Sequence, residues 1–314
     1  MNELLSLAIP THNRFEILRE NLLELAPELI ETGVGVHLSD SGTDGITEAR
    51  LGELQRIVPG LHYRRRPGLL YDANCLSALG MPATEYVWYL GDSLRILPGG
   101  VRRMLAALRE TPCDFAVVTL AKRGPVDLAP GLHRDHLQVL ERLAWHMTLA
   151  GSTVYARAHL VDAEARYARF LGCNFSHLGI VLDRLPGCQR GLLWLGETWL
   201  AGNQRRRSAW VARSVEIFAR DWAAFVLSLP DDYPLASKHV AIRAHSLHTG
   251  ILEWRSLGRL RRKGFLDPAL VRLHERSLRL ASGVPYPAIE RLAGAPRWLA
   301  GPLSRLGRLG LLGR

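Results

Sequence analysis

The chain has 314 residues, 47% hydrophobic and 22% charged, an ordinary globular balance that supplies a substantial core and excludes wholesale disorder. Its four cysteines, Cys75, Cys113, Cys173 and Cys188, form no CxxC pair, which disfavours a zinc ribbon or disulfide framework and fits a reducing compartment. The net charge of +10 lies entirely in residues 255–314, where Asp267, Glu275 and Glu290 are the only acids, while residues 1–254 balance to zero. A neutral body with a basic end suggests an anionic partner for that end, such as lipid headgroups.

No basic segment with a long apolar run precedes Leu4–Ile9, so no signal peptide is expected. No stretch of about 18 apolar residues suggests a transmembrane helix.

In chain order, Leu4–Pro10 reads as a buried strand ending in Pro10-Thr11-His12-Asn13-Arg14. Ile17, Leu18, Leu22, Leu25 and Leu29 then recur at helical spacing up to Gly33. Val34–Leu38 is a second strand, closed by the turn-forming run Ser39–Gly45. A helix over Glu48–Ile57, a strand over Leu61–Arg65 and a helix over residues 72–80 follow. Tyr86–Leu90 is a strand cut short by Gly91-Asp92-Ser93, and Pro98-Gly99-Gly100 opens another helix. Phe115–Leu120 is the next strand. This alternation predicts an α/β fold with a mostly parallel sheet covered by helices. Ligands of such sheets bind at the carboxyl ends of the strands.

From about residue 132 the rhythm changes. His133–Met147 reads as a helix and Ser152–Arg157 as a strand. Phe170–Leu178 is a loop entering a helix that ends near Pro186. Leu192–Trp199 is a strand, Val215–Leu229 a helix, and the rest is helical and increasingly basic. The sequence carries no internal repeat or low-complexity tract.

Two readings stand for each candidate carboxylate. Asp40 is either a turn aspartate or a strand-end acceptor for a bound base or ribose. Asp92 is either a helix cap or a group facing a nucleotide or a metal-bound diphosphate. His12 and His177 stand beside small polar residues, outside any HExxH spacing. GxGxxG, GxxxxGK[ST] and GxSxG are all absent, against dinucleotide, P-loop and serine hydrolase readings.

Taken together, Leu5–Arg14, Leu38–Gly45, Tyr71-Asp72-Ala73-Asn74 and Glu85–Asp92 followed by Pro98-Gly99-Gly100 resemble the ordered motifs of family 2 glycosyltransferases. Phe175-Ser176-His177-Leu178, with Leu192–Glu197 and Asn203 beyond it, is similar to the abequosyltransferase-like branch of bacterial surface-polysaccharide enzymes. The resemblance runs over residues 4–120, more loosely to about 225, and no further. It implies a GT-A-like domain over residues 1–225 with a helical basic extension over 226–314. It also implies transfer, with inversion, from a nucleotide-sugar donor to a glycan or lipid-linked glycan, for O-antigen or capsule synthesis. Pro10, Thr11, Asn13, Arg14, Asp40, Asp72, Asn74, Asp92 and Ser93 are then the nucleotide-sugar-binding residues. Asp92 and His177 are the catalytic ones, with Glu197 as the carboxylate alternative to His177 and Asp183 further along the helix.

The family pattern at the donor loop is Gly-Asp-Asp-Asp, and this chain reads Gly91-Asp92-Ser93-Leu94. Leucine offers no oxygen to a hard cation, so weak or absent dependence on Mg2+ or Mn2+ is expected. If a metal binds, Asp92 is its candidate ligand. Arg95 and the run Arg64-Arg65-Arg66 are candidates to stabilise the departing diphosphate, against a reading of the run as a solvated strand. The expected location is cytoplasmic, peripheral on the inner face of the bacterial plasma membrane. There, Trp298, Leu299, Leu303, Leu306 and Leu309–Leu312 would sit among Arg297, Arg305, Arg308 and Arg314 at an anionic surface. Only Trp254, Phe265, Tyr286 and Trp298 supply aromatic groups there, so nucleic acid is not an expected partner. The rival reading is a degenerate, non-catalytic sugar-nucleotide-binding or assembly partner of other transferases.

Overall fold

The computed structural model describes residues 2–205 and 209–309. The chain divides into two compact units, Met1–His136 with His146–Arg206, and Leu137–Trp145 with Arg207–Arg314.

The first unit opens with β1 (Leu5–Thr11), α1 (Phe15–Thr32) and β2 (Gly35–Asp40). Every residue of β1 is buried, as expected of an inner strand. Phe15, Leu18, Leu22, Leu25 and Leu29 form the buried stripe of α1. The helix stops at Gly33, whose φ of 67° is the left-handed conformation that glycine adopts freely. Short helices α2 (Ile46–Ala49) and α3 (Leu51–Ile57) lead to β3 (Leu61–Arg65). Then come α4 (Tyr71–Leu79), β4 (Tyr86–Tyr89), β5 (Leu94–Ile96), α5 (Gly100–Glu110) and β6 (Phe115–Leu120). Glu28 of α1 caps α5 from outside, accepting the N–H groups of Gly99 at 3.1 Å and Arg102 at 2.8 Å. The remaining elements are β7 (Gly131–His133), β8 (Thr153–Ala156), α7 (Ala163–Arg166), α8 (Ser176–Arg184) and β9 (Leu192–Gly202), while α6 (His136–Met147) belongs through Leu137–Trp145 to the second unit.

Among the described residues the strands form one nine-stranded sheet in the order β3-β2-β1-β4-β8-β6-β9-β5, with β7 also on β9. The β3-β2-β1-β4 block and the β6–β9 pair are parallel. The short partners β5, β7 and β8 run antiparallel to their neighbours. One core packs Leu5, Leu7, Ile9, Val36 and Leu38 with the apolar faces of α1 and α5.

Two strands escape the sequence pattern. Leu94–Ile96 pairs with Leu200–Gly202, and Gly131–His133 with Leu192–Trp194. His133, expected in a helix, therefore lies in β7, and β9 runs three residues past Trp199.

The second unit is helical. A π-helical turn, Glu216–Asp221, runs into α9 (Trp222–Leu227). It is followed by α10 (Leu235–Thr249), α11 (Trp254–Lys263), α12 (Pro268–Leu273), α13 (Glu275–Ala281), α14 (Tyr286–Gly294) and α15 (Ala300–Arg308). Trp222 donates its indole N–H to the Ile242 carbonyl of α10 at 3.2 Å. Among the described residues no helix is long and apolar enough to cross a membrane.

Candidate nucleotide-sugar crevice

The carboxyl ends of β1, β2 and β4 meet at one rim of the sheet. Thr11 and Asp40 are register partners on parallel strands, so their side chains leave the same face. Thr11 donates its hydroxyl to Asp92 Oδ2 at 3.1 Å. Arg14, at the start of α1, donates Nη1–H to Asp92 Oδ1 at 2.9 Å. Asp92 thus joins three segments and is only 8% exposed. Burial pushes its carboxyl above the usual aspartate range, against the pull of Arg14.

The loop carrying Asp92 is fixed from below. Asn21 of α1 donates to the Asp92 carbonyl at 2.7 Å and to the Leu94 carbonyl at 3.2 Å. Asn203 donates its amide to Asn21 at 2.7 Å and its backbone N–H to Ser93 at 3.0 Å. Asn21 was missed in the sequence, although a polar residue inside the stripe Leu18, Leu22, Leu25 was a usable signal. Beneath Asp92 lies a void of about 10 Å³, lined by Ile9, Leu22 and Leu90 among others, with room for at most one water.

The β1 and β2 loops are tied together. Ser41 donates its N–H to the Thr11 carbonyl at 3.0 Å, and Nδ1 of His12 faces the Ser41 carbonyl at 3.1 Å. Asn13, at a left-handed φ of 51°, accepts the Thr43 N–H at 2.8 Å. Gly42 fits between them because a Cβ there would sit 2.8 Å from both Asn13 Oδ1 and Asp40 Oδ1. Asp40 accepts the Gly42 N–H at 2.8 Å and the Tyr63 hydroxyl at 2.9 Å. The turn reading of Asp40 is therefore present in the structure, on the rim where the binding reading also places it. Pro10 and Thr11 are buried, whereas Asn13 is exposed.

Asp72 and Asn74 act as ties. Asp72 accepts the N–H groups of Asn174 at 2.8 Å and Ser176 at 3.1 Å, closing the start of α8 onto α4. Asn74 accepts the Ser39 hydroxyl at 2.8 Å and donates to the Thr11 carbonyl at 3.1 Å. Both are 3% exposed. Their polar groups are taken up inside the fold, where they tie the segments of the rim together.

His177 lies one layer deeper and is 1% exposed. Its ring tilts over Tyr89 at 5.5 Å and meets Tyr71 edge-on at 6.4 Å. The hydroxyls of these tyrosines face each other at 3.2 Å. The buried ring nitrogens of His177 make no hydrogen bond of good geometry among the described residues, and the backbone of Met147 and Thr148 offers them only weak polar contact. Burial lowers its pKa to about 4, so the imidazole is neutral at pH 7. Of the two carboxylates weighed beside it, Asp183 pairs with Arg169, and Glu197 bonds Trp199 and pairs with Arg103.

Of the other candidate cations, Arg95 pairs with Glu24 at 2.8 Å, Arg65 with Glu48, and Arg66 with Glu164 at 2.5 Å. Arg14, paired with Asp92, is the guanidinium bonded into the rim.

The Leu94 side chain is 3% exposed in the core, and its Cδ1 would lie 2.6 Å from a Cβ added at Gly151. The position that the motif assigns to a metal ligand therefore points away from the crevice. The remaining carboxylate, Asp92, has each oxygen bonded, one to Arg14 and one to Thr11. These residues do not fit a hard divalent cation, which needs several free oxygen ligands. A wider groove of about 1340 Å³, lined in part by the stacked His37 and His62, borders the face of β1–β3 near their amino ends.

No protein-family model and no curated protein matches the chain. Among solved structures it is similar to S. aureus TarS 1–349 in complex with UDP-GlcNAc, with a TM-score of 0.60 and 14% identity over 99% of this chain and 93% of that one. The same TarS segment in complex with UDP gives a TM-score of 0.54, again at 14% identity over 99% and 93% of the two chains. The longer S. aureus TarS structure gives 0.56 at 14% identity, over 96% of this chain and 53% of that one. Sheet order, helical cover and this similarity together establish a GT-A-like α/β fold for the chain.

Proposed function

We propose that the chain is a glycosyltransferase that moves a sugar, with inversion, from a nucleotide-sugar donor to a glycan or lipid-linked glycan in bacterial surface-polysaccharide synthesis. Phe175-Ser176-His177-Leu178 and its neighbours resemble the abequosyltransferase-like branch, which is the branch proposed. The observation that supports this best is the meeting of Thr11, Arg14, Asp40 and Asp92 at one rim of a GT-A-like sheet. A TarS structure of the same fold is a complex with UDP-GlcNAc.

In this reading the β1 and β2 loops, with Pro10, Thr11, Asn13 and Asp40, hold the nucleotide, and Ser93 borders the sugar. Asp72 and Asn74 keep those loops in place. Arg14 and the N-terminus of α1, which has no side-chain cap, face the diphosphate as negative charge builds on it. Asp92 orients Arg14. His177 is the candidate base for the acceptor hydroxyl, already neutral and able to take a proton. The basic helical residues 226–314 hold the enzyme at the inner face of the membrane, near lipid-linked acceptors. The test is a sugar-nucleotide screen by thermal shift, with and without EDTA, followed by transfer assays on the binders. A donor that binds the native chain and fails to bind Asp40→Ala and Arg14→Gln supports the reading. A folded chain that binds none refutes it.

The placement of Leu94 favours a second reading, a non-catalytic sugar-nucleotide-binding or assembly partner of other transferases. Donor binding with neither transfer nor donor hydrolysis would select it.

A further inference from the structure

Near the amino-terminal ends of β6 and β9, three segments converge. Asp114 precedes β6, His159 ends the 3-10 turn Arg157–His159 after β8, and Cys188 lies in the approach to β9. Nε2 of His159 is 2.8 Å from Asp114 Oδ1 and 3.9 Å from Cys188 Sγ. One donor atom from each residue lies within 4.8 Å of the other two.

The ligand geometry is set by the surroundings. The His159 ring stacks on Phe115 at 4.9 Å and is 8% exposed. Asp114 uses its second oxygen to accept the N–H groups of Arg190 and Gly191, both at 2.8 Å. Its first oxygen is thereby aimed at His159. A relay from carboxylate through histidine to thiol needs the two partners on opposite ring nitrogens. Here both face Nε2, and three donors that share one focus are the arrangement of a cation site instead.

We propose that Asp114, His159 and Cys188 bind one Zn2+ or a similarly soft divalent cation. Thiolate, imidazole and carboxylate suit zinc, whereas Mg2+ prefers oxygen ligands alone. Zinc bonds of about 2.0–2.3 Å in a tetrahedral array place donors roughly 3–4 Å apart, close to the separations seen. On binding, the S–H bond of Cys188 breaks, an S–Zn bond forms and the proton leaves to solvent. His159 gives up the Nε2–H that it now donates to Asp114, takes its ring proton at Nδ1 and binds through Nε2, and nothing is oxidised or reduced. Cys188 is half-buried, so water can take the fourth position. The ion clamps the starts of β6 and β9 to the turn after β8. This proposal is independent of the glycosyl-transfer reading.

The test uses the full chain, stripped with EDTA and dialysed, then titrated with Co2+ alone. The expected result is a thiolate-to-cobalt charge-transfer band that saturates near about one ion per chain. Zn2+ displaces it and Mg2+ does not. Cys188→Ala loses the band, and Cys173→Ala, at the other half-buried thiol, keeps it. Should Cys188→Ala fail to fold, the native chain is alkylated with a maleimide and mapped by mass spectrometry. Zn2+ should then slow the labelling of Cys188 by on the order of 10-fold or more, with Cys173 unchanged. A folded chain with no cobalt band, a band intact in Cys188→Ala, or equal labelling with and without Zn2+ overturns the proposal.

Discussion

Arg14 and Asp92, 78 residues apart in sequence, meet at 2.9 Å because β1 and β4 are adjacent parallel strands. Each strand releases its chain at the same rim, and the turn after β1 brings the start of α1 back over the turn after β4. The pair is internal to the fold and also the charged feature of the crevice.

Arg14→Gln should keep the fold and lower transfer by on the order of 100-fold, because it removes a donor aimed at developing charge. The stability cost should be only about 1–2 kcal/mol, since the Arg14 side chain is 34% exposed and water replaces part of the pairing. Asp92→Ala should abolish transfer, and Asp40→Ala should mainly weaken nucleotide binding. Steady-state kinetics with urea melts separate the effects. Near-native kcat/KM in both aspartate variants would remove the crevice from consideration.

Leu94→Asp tests the donor loop directly. If the side chain pointed into the crevice, the variant would gain a metal ligand and dependence on Mn2+. The structure predicts loss of stability by roughly 3–5 kcal/mol, because an ionised carboxylate enters the core without a partner. No metal dependence should appear. Thermal melts and EDTA titration of the variant decide between the two.

Much of the first unit was legible because its parallel strands are apolar runs separated by turn residues, and β6 was bounded correctly at Phe115 and Leu120. The rim residues were legible through motif order. What was hidden depends on partners distant in sequence. Nothing local marks Leu94–Ile96 as a strand; it becomes one by pairing with residues 200–202. Likewise, the role of Asp72 is set by backbone N–H groups about a hundred residues later, and burial decides the charge state of His177.

Asp72→Ala should cost about 2–4 kcal/mol, because the N–H groups of Asn174 and Ser176 lose their shared acceptor in a buried place. Asp72→Asn keeps one acceptor oxygen and should cost less. Hydrogen exchange should accelerate first at the start of α8. Unchanged protection there would contradict the tie between α4 and α8.

His177 carries a pH prediction. Its pKa falls from 6.5 to about 4 in the folded chain. The native state then holds fewer protons than the unfolded chain between those values. The contribution is present in full above pH 6.5 and is lost as pH falls through this window, amounting to roughly 3 kcal/mol. His146, lowered by burial to about 3, adds in the same direction. Urea midpoints measured from pH 7 to 4 should fall steeply, and less so in His177→Leu. If His177 is the base, the acid limb of kcat/KM should sit far below pH 6.5.

At the basic end, Gly310, Leu311, Leu312, Gly313 and Arg314 lie outside the described residues, and α15 with its flanks carries the apolar and basic side chains. Two glycines permit close packing here. A Cβ at Gly307 would lie 2.5 Å from the Trp254 ring, and one at Gly258 would lie 2.6 Å from Ser304. Alpha helix α15 therefore docks on α11 through small residues. Its outer side keeps Trp298 at 75%, Leu306 at 41% and Leu309 at 72% exposure, beside the exposed Arg297, Arg305 and Arg308. Apolar groups flanked by arginines suit a headgroup layer, and each basic residue there contributes about 1 kcal/mol. Full-length protein should co-sediment with anionic liposomes at low salt and release at high salt. Trp298→Ser with Leu306→Ser, and separately Arg305→Glu with Arg308→Glu, should weaken binding several-fold without unfolding α15, whereas cutting the chain near residue 295 would also expose α11. Equal affinity for neutral and anionic liposomes, or native binding by both double variants, would assign these side chains to a solvated surface.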